Sequence, residues 1–174
     1  MGCSISMKNT MCKKDGECLA LGETLNSAEI LLIRQTWLSL EQDIKNIGKE
    51  LFLRYFEKNP SYQNLFPEFR NLSRTEMEQS RAVLGHGKRV MKAIENAVAT
   101  LHDHEVLKSY SIELGKRHVN RKLKEYHLKD MRRAFIDVIR ERLKDVWTRE
   151  AAIAWSKLFC RISNGILKGI SASC

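Results

Sequence analysis

The sequence predicts an all-α fold of about seven or eight helices. Apolar residues recur at three- and four-residue spacing from residue 27 almost to the C-terminus, which is the period of one helix face. The chain has only two prolines, Pro60 and Pro67, and nine scattered glycines, so few residues favour turns. No stretch alternates apolar and polar residues like a strand, and no segment is repeated. The 174 residues suffice for one domain with a buried core, and we predict a flexible tail over 1–24 and a folded domain over 25–174.

The first predicted helix begins at Ser27, a residue type suited to the N-cap position. A second helix is predicted over about 43–58 and contains Gly48. Because an interior glycine costs about 1 kcal/mol relative to alanine, its presence suggests that another helix approaches closely there. Pro60 then opens a short helical turn, since proline is tolerated in the first turn of a helix.

The C-terminal half predicts four further helical segments. Ser73 and Glu76 have the spacing of a capping box, and we expect them to open the longest apolar stripe of the chain. The stripe consists of Val83, Gly87, Val90, Met91, Ile94, Val98 and Leu101. A polar break over 102–105 precedes a helix that is predicted to reach His118. After a basic loop come two long helices, the last with Thr148 as its N-cap.

Composition excludes several functional classes. The net charge of +9 would suit an anionic partner such as nucleic acid or the inner leaflet of a membrane. The basic residues are nevertheless spread along the chain, without stacking aromatics or zinc-finger spacing, so we expect no nucleic-acid partner. No apolar run approaches the ~20 residues of a membrane span, and residues 1–24 lack the apolar region of a secretory signal. We therefore expect reduced, cytosolic thiols, with Cys160 buried. The sequence leaves open whether Cys12 and Cys18 form a local disulfide.

Two histidines stand out because each lies on the apolar face of a predicted helix. His86 shares the long apolar stripe, and His118 follows 32 residues later. A core histidine is usually structural, but two imidazoles could also bind the iron of a flat macrocycle held between helices in an apolar pocket. His102, His104 and His127 lie in polar stretches and are expected at the surface.

The order, spacing and residue types of four segments resemble the globin family. The segments are LFLRYFEKNPSYQNLFPEF, LGHGKRV, LGKRHV and VWTREAAIAW, and the resemblance extends over about residues 25–170. It implies a globin fold around a haem pocket, with haem b and its iron as the cofactor. His118 matches the proximal ligand position, and His86 begins the distal pattern His-Gly-x-x-Val.

The same resemblance assigns the rest of the pocket. Phe66 follows Pro60 by six residues and matches the aromatic residue that stacks on haem, while Phe52 and Val90 match distal-pocket positions. Arg89 is placed to reach the haem propionates, which a guanidinium binds in bidentate fashion. Gly48 matches the glycine at which two globin helices cross. The loop after His118 is a residue or two shorter than usual, and Leu123 is the expected pocket wall there.

The N-terminus carries a second signal. Residues 1–6, MGCSIS, fit the myristoylation pattern, which exposes Gly2 once Met1 is removed, and Cys3 beside it suits palmitoylation. A single myristoyl chain binds membranes with a constant of only about 10⁴ M⁻¹, so stable anchoring needs a second signal. The acyl group on Cys3 and the nearby lysines can supply it. We therefore predict a lipid anchor at the cytoplasmic face of the plasma membrane.

Together these signals resemble globin X and the other membrane-attached, neuroglobin-like globins, in which two histidines fill both axial positions of the iron at rest. That resemblance implies redox chemistry or signalling with O₂, NO, nitrite or peroxide, and a redox partner. One alternative is a conventional oxygen-storage globin, in which His86 hydrogen-bonds to bound O₂. A second is a haem-free globin-fold sensor or adaptor. The sequence leaves the physiological ligand, the reductase, any enzymatic activity and the oligomeric state open.

Overall fold

A computed structural model describes residues 24–172 and contains seven α-helices in that range. They are α1 (Ser27–Leu40), α2 (Ile44–Lys58), α3 (Arg74–Gln79), α4 (Arg81–Ala99), α5 (His104–Lys116), α6 (Glu125–Leu143) and α7 (Arg149–Ser171). Short 3-10 turns cover Glu41–Asp43, Pro60–Leu65, Val119–Arg121 and Lys144–Val146. The described residues form no strand. The predicted all-α class is therefore confirmed.

Side-chain caps explain most helix starts, and two of them differ from the prediction. Asn26, not Ser27, caps α1, because its Oδ1 accepts from the Glu29 amide at 2.9 Å while Ser27 is already helical. The predicted box of Ser73 and Glu76 forms, but it caps only the short α3. Ser80 then adopts an extended conformation and accepts from the Val83 amide, which starts α4 as a separate helix.

The end of α5 also differs from the prediction. The helix was expected to carry His118, but it ends at Lys116. The amide of His118 donates to the carbonyl of Gly115 at 2.8 Å, so the chain tightens into a 3-10 turn immediately after the helix. His118 consequently lies in the turn that leads to Val119–Arg121. Thr148 caps α7 as predicted, by accepting from the Ala151 amide.

Glycines allow two helix pairs to pack backbone against backbone. A methyl group at Gly48 on α2 would lie 2.6 Å from the carbonyl oxygen of Gly87 on α4, so no side chain fits at this crossing. The predicted role of Gly48 is therefore confirmed. On α5, Gly115 lies against the backbone of Ile166 on α7 in the same way. These two crossings set the positions of the segments that carry His86 and His118.

The core unites residues from α1 to α7. Trp155 is buried between α1 and α6, and its indole Nε1 donates to Oγ1 of Thr36 at 3.0 Å. Cys160 is buried as expected, but it is disulfide-bonded, so the expectation of a reduced thiol is wrong at this residue. Among residues 24–172, no helix combines the length and apolar character that a bilayer span requires.

Candidate haem-binding site

One cavity of about 660 Å³ lies between α2, α4, α5, α6 and α7. That volume is typical of the pockets in which proteins hold organic cofactors. All six pocket residues predicted from the sequence line it, namely Phe52, Phe66, His86, Arg89, Val90 and His118. Leu123, the expected wall after the proximal turn, lines it as well. Residues from distant parts of the chain thus meet at one site.

The His118 imidazole is held in one tautomer by the end of α5. Its Nδ1 lies 2.8 Å from the carbonyl oxygen of Leu114. A carbonyl oxygen can only accept, so Nδ1 carries the proton and Nε2 keeps its lone pair. A histidine that binds a metal through Nε2 usually has such a partner at its other nitrogen, because the bond orients the ring and raises its basicity. His118 is therefore prepared as a fixed ligand.

The His86 imidazole sits among three phenyl rings. The ring centroids of Phe52, Phe66 and Phe69 lie 5.0, 5.2 and 5.8 Å from that of His86, and all three rings are nearly perpendicular to it. Burial, and secondarily the Arg89 cation, lowers the pKa of His86 from 6.5 to about 4. The imidazole is consequently neutral at physiological pH and can offer a lone pair to a metal.

The crossing of α2 and α4 brings these rings together. Gly87 touches the backbone of Gly48, and His86 is its neighbour on α4. Phe52 lies one turn beyond Gly48 on α2, so the close approach of the two backbones places His86 against it. Val90, one turn after His86, continues the same cavity wall and is half-buried.

Arg89 contacts His86 within α4. Nη2 of Arg89 lies 3.2 Å from Nδ1 of His86, and because a guanidinium has only donors, Nδ1 must accept. In this arrangement the proton of His86 is on Nε2. The predicted contact between Arg89 and a haem propionate stays a prediction.

The charges and ligands of the cavity fit haem. Its lining contains Arg89, Lys92, Arg117 and Arg121 against one carboxylate, Glu68, so it is suited to a cofactor with acidic groups. Among residues 24–172, no group of three or more His, Cys, Asp or Glu side chains could hold a metal ion without a macrocycle. Single imidazoles in an apolar cavity are instead the donor set that iron in haem requires.

His127 was expected at the surface, and that prediction is wrong. Only 5% of the residue is exposed, and it lines the cavity at the start of α6. Its Nδ1 accepts from the amide of Lys124, and its ring packs against Tyr62 and Tyr126. The polar residues around it in sequence concealed this burial. His102 and His104 are exposed as predicted.

An all-α fold whose cavity is lined by His86 from α4 and His118 from the turn after α5, with His127 bonded to the main chain beside them, is that of a class of helical haem proteins. The globin family model matches residues 49–166, and the chain belongs to the globin family. Its cofactor is accordingly haem b with iron, and its ligands include diatomic gases.

Three similar proteins illustrate the relationship. The chain is 29% identical to cytoglobin-2 of Danio rerio, over 80% of this chain and 79% of that protein. The fold is similar to that of a hexacoordinated haem protein from an anhydrobiotic tardigrade, with a TM-score of 0.80 and 16% identity over 86% of this chain and 97% of that one. It is also similar to haemoglobin from the botfly Gasterophilus intestinalis, with a TM-score of 0.78 and 21% identity over 84% and 99% of the two chains. The predicted acylation sites Gly2 and Cys3 lie outside the described residues.

Proposed function

We propose that this globin is anchored to a membrane, that His118 and His86 both ligate its iron at rest, and that it acts in redox chemistry or signalling with O₂, NO, nitrite or peroxide. The observation that carries the proposal is the state of the two imidazoles in one cavity. His118 has a free Nε2 because Leu114 holds its Nδ1, and His86 is neutral because it is buried. The tardigrade protein of similar fold is described as hexacoordinated, which supports the same arrangement here.

The two histidines have different tasks in this proposal. Bound haem b supplies an iron centre that binds small ligands and exchanges electrons. His118 would hold that iron permanently, since its ring is fixed by a hydrogen bond to the main chain. His86 is only partly buried and contacts phenyl rings instead of a main-chain acceptor, so it would be able to leave the iron and admit a ligand. Two imidazole ligands would stay in place when the iron is oxidised, which would favour electron transfer over storage.

The cationic rim favours anionic substrates. Arg117 and Arg121 line the cavity together with Arg89 and Lys92, so the local potential attracts small anions. Nitrite is such an anion, and an acidic redox partner would be attracted in the same way. The acyl groups on Gly2 and Cys3 would keep the protein at the cytoplasmic face of the plasma membrane. A fixed protein cannot carry oxygen by diffusion, which argues against bulk transport.

The test is the visible spectrum of the purified ferrous protein without added ligand. We expect a six-coordinate, low-spin spectrum that His86→Leu converts to a five-coordinate one. His118→Ala should abolish stable haem binding, and Phe66→Ala should weaken haem retention more mildly. A five-coordinate spectrum of the unaltered protein would overturn the proposal, and a missing Soret band after reconstitution with haem would indicate the haem-free alternative.

One observation favours the oxygen-storage alternative. Because Arg89 donates to Nδ1 of His86, the proton lies on Nε2, and that tautomer can donate a hydrogen bond to a bound gas. The ferrous spectrum distinguishes this role from ligation, since only ligation by His86 makes the iron six-coordinate.

A further inference from the structure

We propose that Tyr55, Tyr62 and Tyr126 form an electron relay from the haem cavity to the protein surface. The inference rests on the redox role proposed above, and it adds a second substrate class. Small one-electron reductants, such as phenols or ascorbate-type enediols, would react at Tyr126 while a hydroperoxide serves as the oxidant at the haem. Such a relay would let the protein reduce a hydroperoxide to an alcohol and water.

The three rings form a continuous path. Tyr55 is fully buried on α2 and lines the haem cavity. Its ring centroid lies 5.4 Å from that of Tyr62, and the centroid of Tyr62 lies 6.1 Å from that of Tyr126. These are contact distances for aromatic pairs. Tyr126 ends the path at the surface, where 54% of the residue is exposed.

His127 packs against the two outer rings of the path and holds them in place. Its ring centroid lies 4.5 Å from that of Tyr62 and 4.1 Å from that of Tyr126. Its Nδ1 accepts a hydrogen bond from the amide of Lys124, and its main-chain carbonyl oxygen accepts one from the hydroxyl of Tyr55. His127 is thus a positioning residue that fixes all three tyrosines, which accounts for its burial beside the cavity.

Asp130 supplies the proton chemistry that phenol oxidation requires. The hydroxyl of Tyr62 donates to Oδ2 of Asp130 at 2.9 Å, while Oδ1 pairs with Arg133 at 3.0 Å. When Tyr62 loses an electron toward the cavity, its proton can move to the Asp130 carboxylate. When the reductant returns an electron through Tyr126, the proton moves back. Burial and Asp130 raise the pKa of Tyr62 to about 12, so the phenol is protonated before each transfer.

Tyr55 has a different role, because its hydroxyl donates to a carbonyl oxygen that cannot take up a proton. Tyr55 is therefore not itself oxidised, and its ring serves as the path by which an electron passes between Tyr62 and the cavity. Two such one-electron transfers, with two protons from the reductant, convert one hydroperoxide to an alcohol and one water. Two molecules of the reductant each lose one electron and one proton and become radicals, so electrons and atoms balance.

Tyr110 provides a matched control. It also lines the cavity, but its hydroxyl accepts from Nδ2 of Asn96, at 3.2 Å, and an amide N–H cannot take up a proton. Tyr110 therefore lines the cavity without the proton acceptor that Tyr62 has, and none of the ring contacts among the described residues joins it to another tyrosine. Of the four tyrosines in the sequence, Tyr110 is the one outside the relay.

The experiment treats the ferric haem-loaded protein with hydrogen peroxide and a spin trap, and locates the adduct by peptide mass analysis. We expect an adduct on Tyr126 that Tyr126→Phe and Tyr62→Phe remove and that Tyr110→Phe retains. Asp130→Asn keeps both rings but loses the proton acceptor, so it should reduce the adduct. In a parallel reaction with ascorbate in place of the spin trap, the same variant should consume ascorbate several-fold more slowly. Far-UV circular dichroism and the ferric spectrum before peroxide check that each variant is folded and loaded.

Two outcomes would overturn the relay, namely a Tyr126 adduct that is unchanged in Tyr62→Phe, or loss of the Tyr126 adduct in Tyr110→Phe. Failure of the two-histidine proposal is recognised separately, because it appears as a five-coordinate spectrum before any peroxide is added.

Discussion

Nη2 of Arg89 lies 3.2 Å from Nδ1 of His86, one turn apart on α4. The hydrogen bond requires a bare Nδ1, whereas a neutral imidazole that ligates iron through Nε2 carries its proton on Nδ1. The two bonds are therefore mutually exclusive. Arg89 competes with the iron for His86. Loss of the hydrogen bond between Arg89 and His86 would leave the guanidinium available to a haem propionate.

Replacing Arg89 should accordingly tighten the ligation by His86. For Arg89→Gln we expect CO to bind more slowly, since CO waits for His86 to leave. The contact is exposed, so its contribution is about 1 kcal/mol, which corresponds to about a fivefold change in rate. Flash photolysis of the ferrous CO form measures it.

Lys88→Gln is the matched control, because Lys88 is the adjacent exposed cation on α4 and its removal changes the net charge equally. Faster CO binding in Arg89→Gln than in Lys88→Gln would contradict the competition. Haem transfer to an acceptor globin, measured in the same variants, tests the predicted propionate contact independently.

The lowered pKa of His86 predicts how its ligation depends on pH. A metal binds only the neutral imidazole, so protonation competes with ligation. Because burial and the Arg89 cation lower the pKa of His86 from 6.5 to about 4, the neutral form persists as the pH falls through 6.5. Iron stabilises that form further. We therefore expect the ferric six-coordinate spectrum to stay constant from pH 8 to about pH 5, with loss near or below pH 4.

A pH titration of the ferric spectrum, with circular dichroism to detect unfolding, tests this expectation. A midpoint near 6.5 in a folded protein would show that His86 is solvated like an exposed imidazole.

The contact between Gly48 and Gly87 predicts a sharp difference between two glycine substitutions. In Gly48→Ala the new methyl group would lie 2.6 Å from a main-chain oxygen of α4, so a helix must move. Overpacking of this kind costs about 1–3 kcal/mol. At Gly85, also on α4, a methyl group meets only Nη1 of Arg89 at 3.9 Å. Gly85→Ala should stabilise the helix by up to about 1 kcal/mol.

Urea unfolding of the haem-loaded proteins measures both effects, and the six-coordinate spectrum reports whether His86 has moved. Equal stability of the two variants would mean that α2 and α4 separate at little cost, and the crossing would not position His86.

The sequence predicted much of this site because its periodicity and local motifs act over a few residues. His86, Val90 and Gly48 could be placed from helical spacing and family resemblance, and the capping box at Ser73 from its two residue types. What the sequence did not predict depends on contacts between distant segments. His127 is buried by Tyr62, far away in the chain, and α5 stops before His118 because the turn closes onto Gly115. The Arg89–His86 bond depends on a side-chain conformation that no spacing determines.

The final prediction concerns the N-terminus. We expect the full chain to partition to membranes in a cell that acylates it, and Gly2→Ala to make it soluble, because the first acyl chain is attached to the free α-amine of glycine. Cys3→Ser retains the myristoyl group alone, which binds membranes with a constant of about 10⁴ M⁻¹, so this variant should divide between membrane and cytosol.

Fractionation of the three proteins, with mass analysis of the N-terminal peptide, tests the anchor directly. The haem spectrum serves as the internal control, since both substitutions precede the domain predicted to begin at residue 25 and should leave the iron ligands unchanged. An unmodified N-terminal peptide, or a Gly2→Ala protein that stays with the membrane fraction, would remove the anchor from the proposed function. The haem chemistry of His118 and His86 would then have to operate in a freely diffusing globin, to which the argument against bulk oxygen transport does not apply.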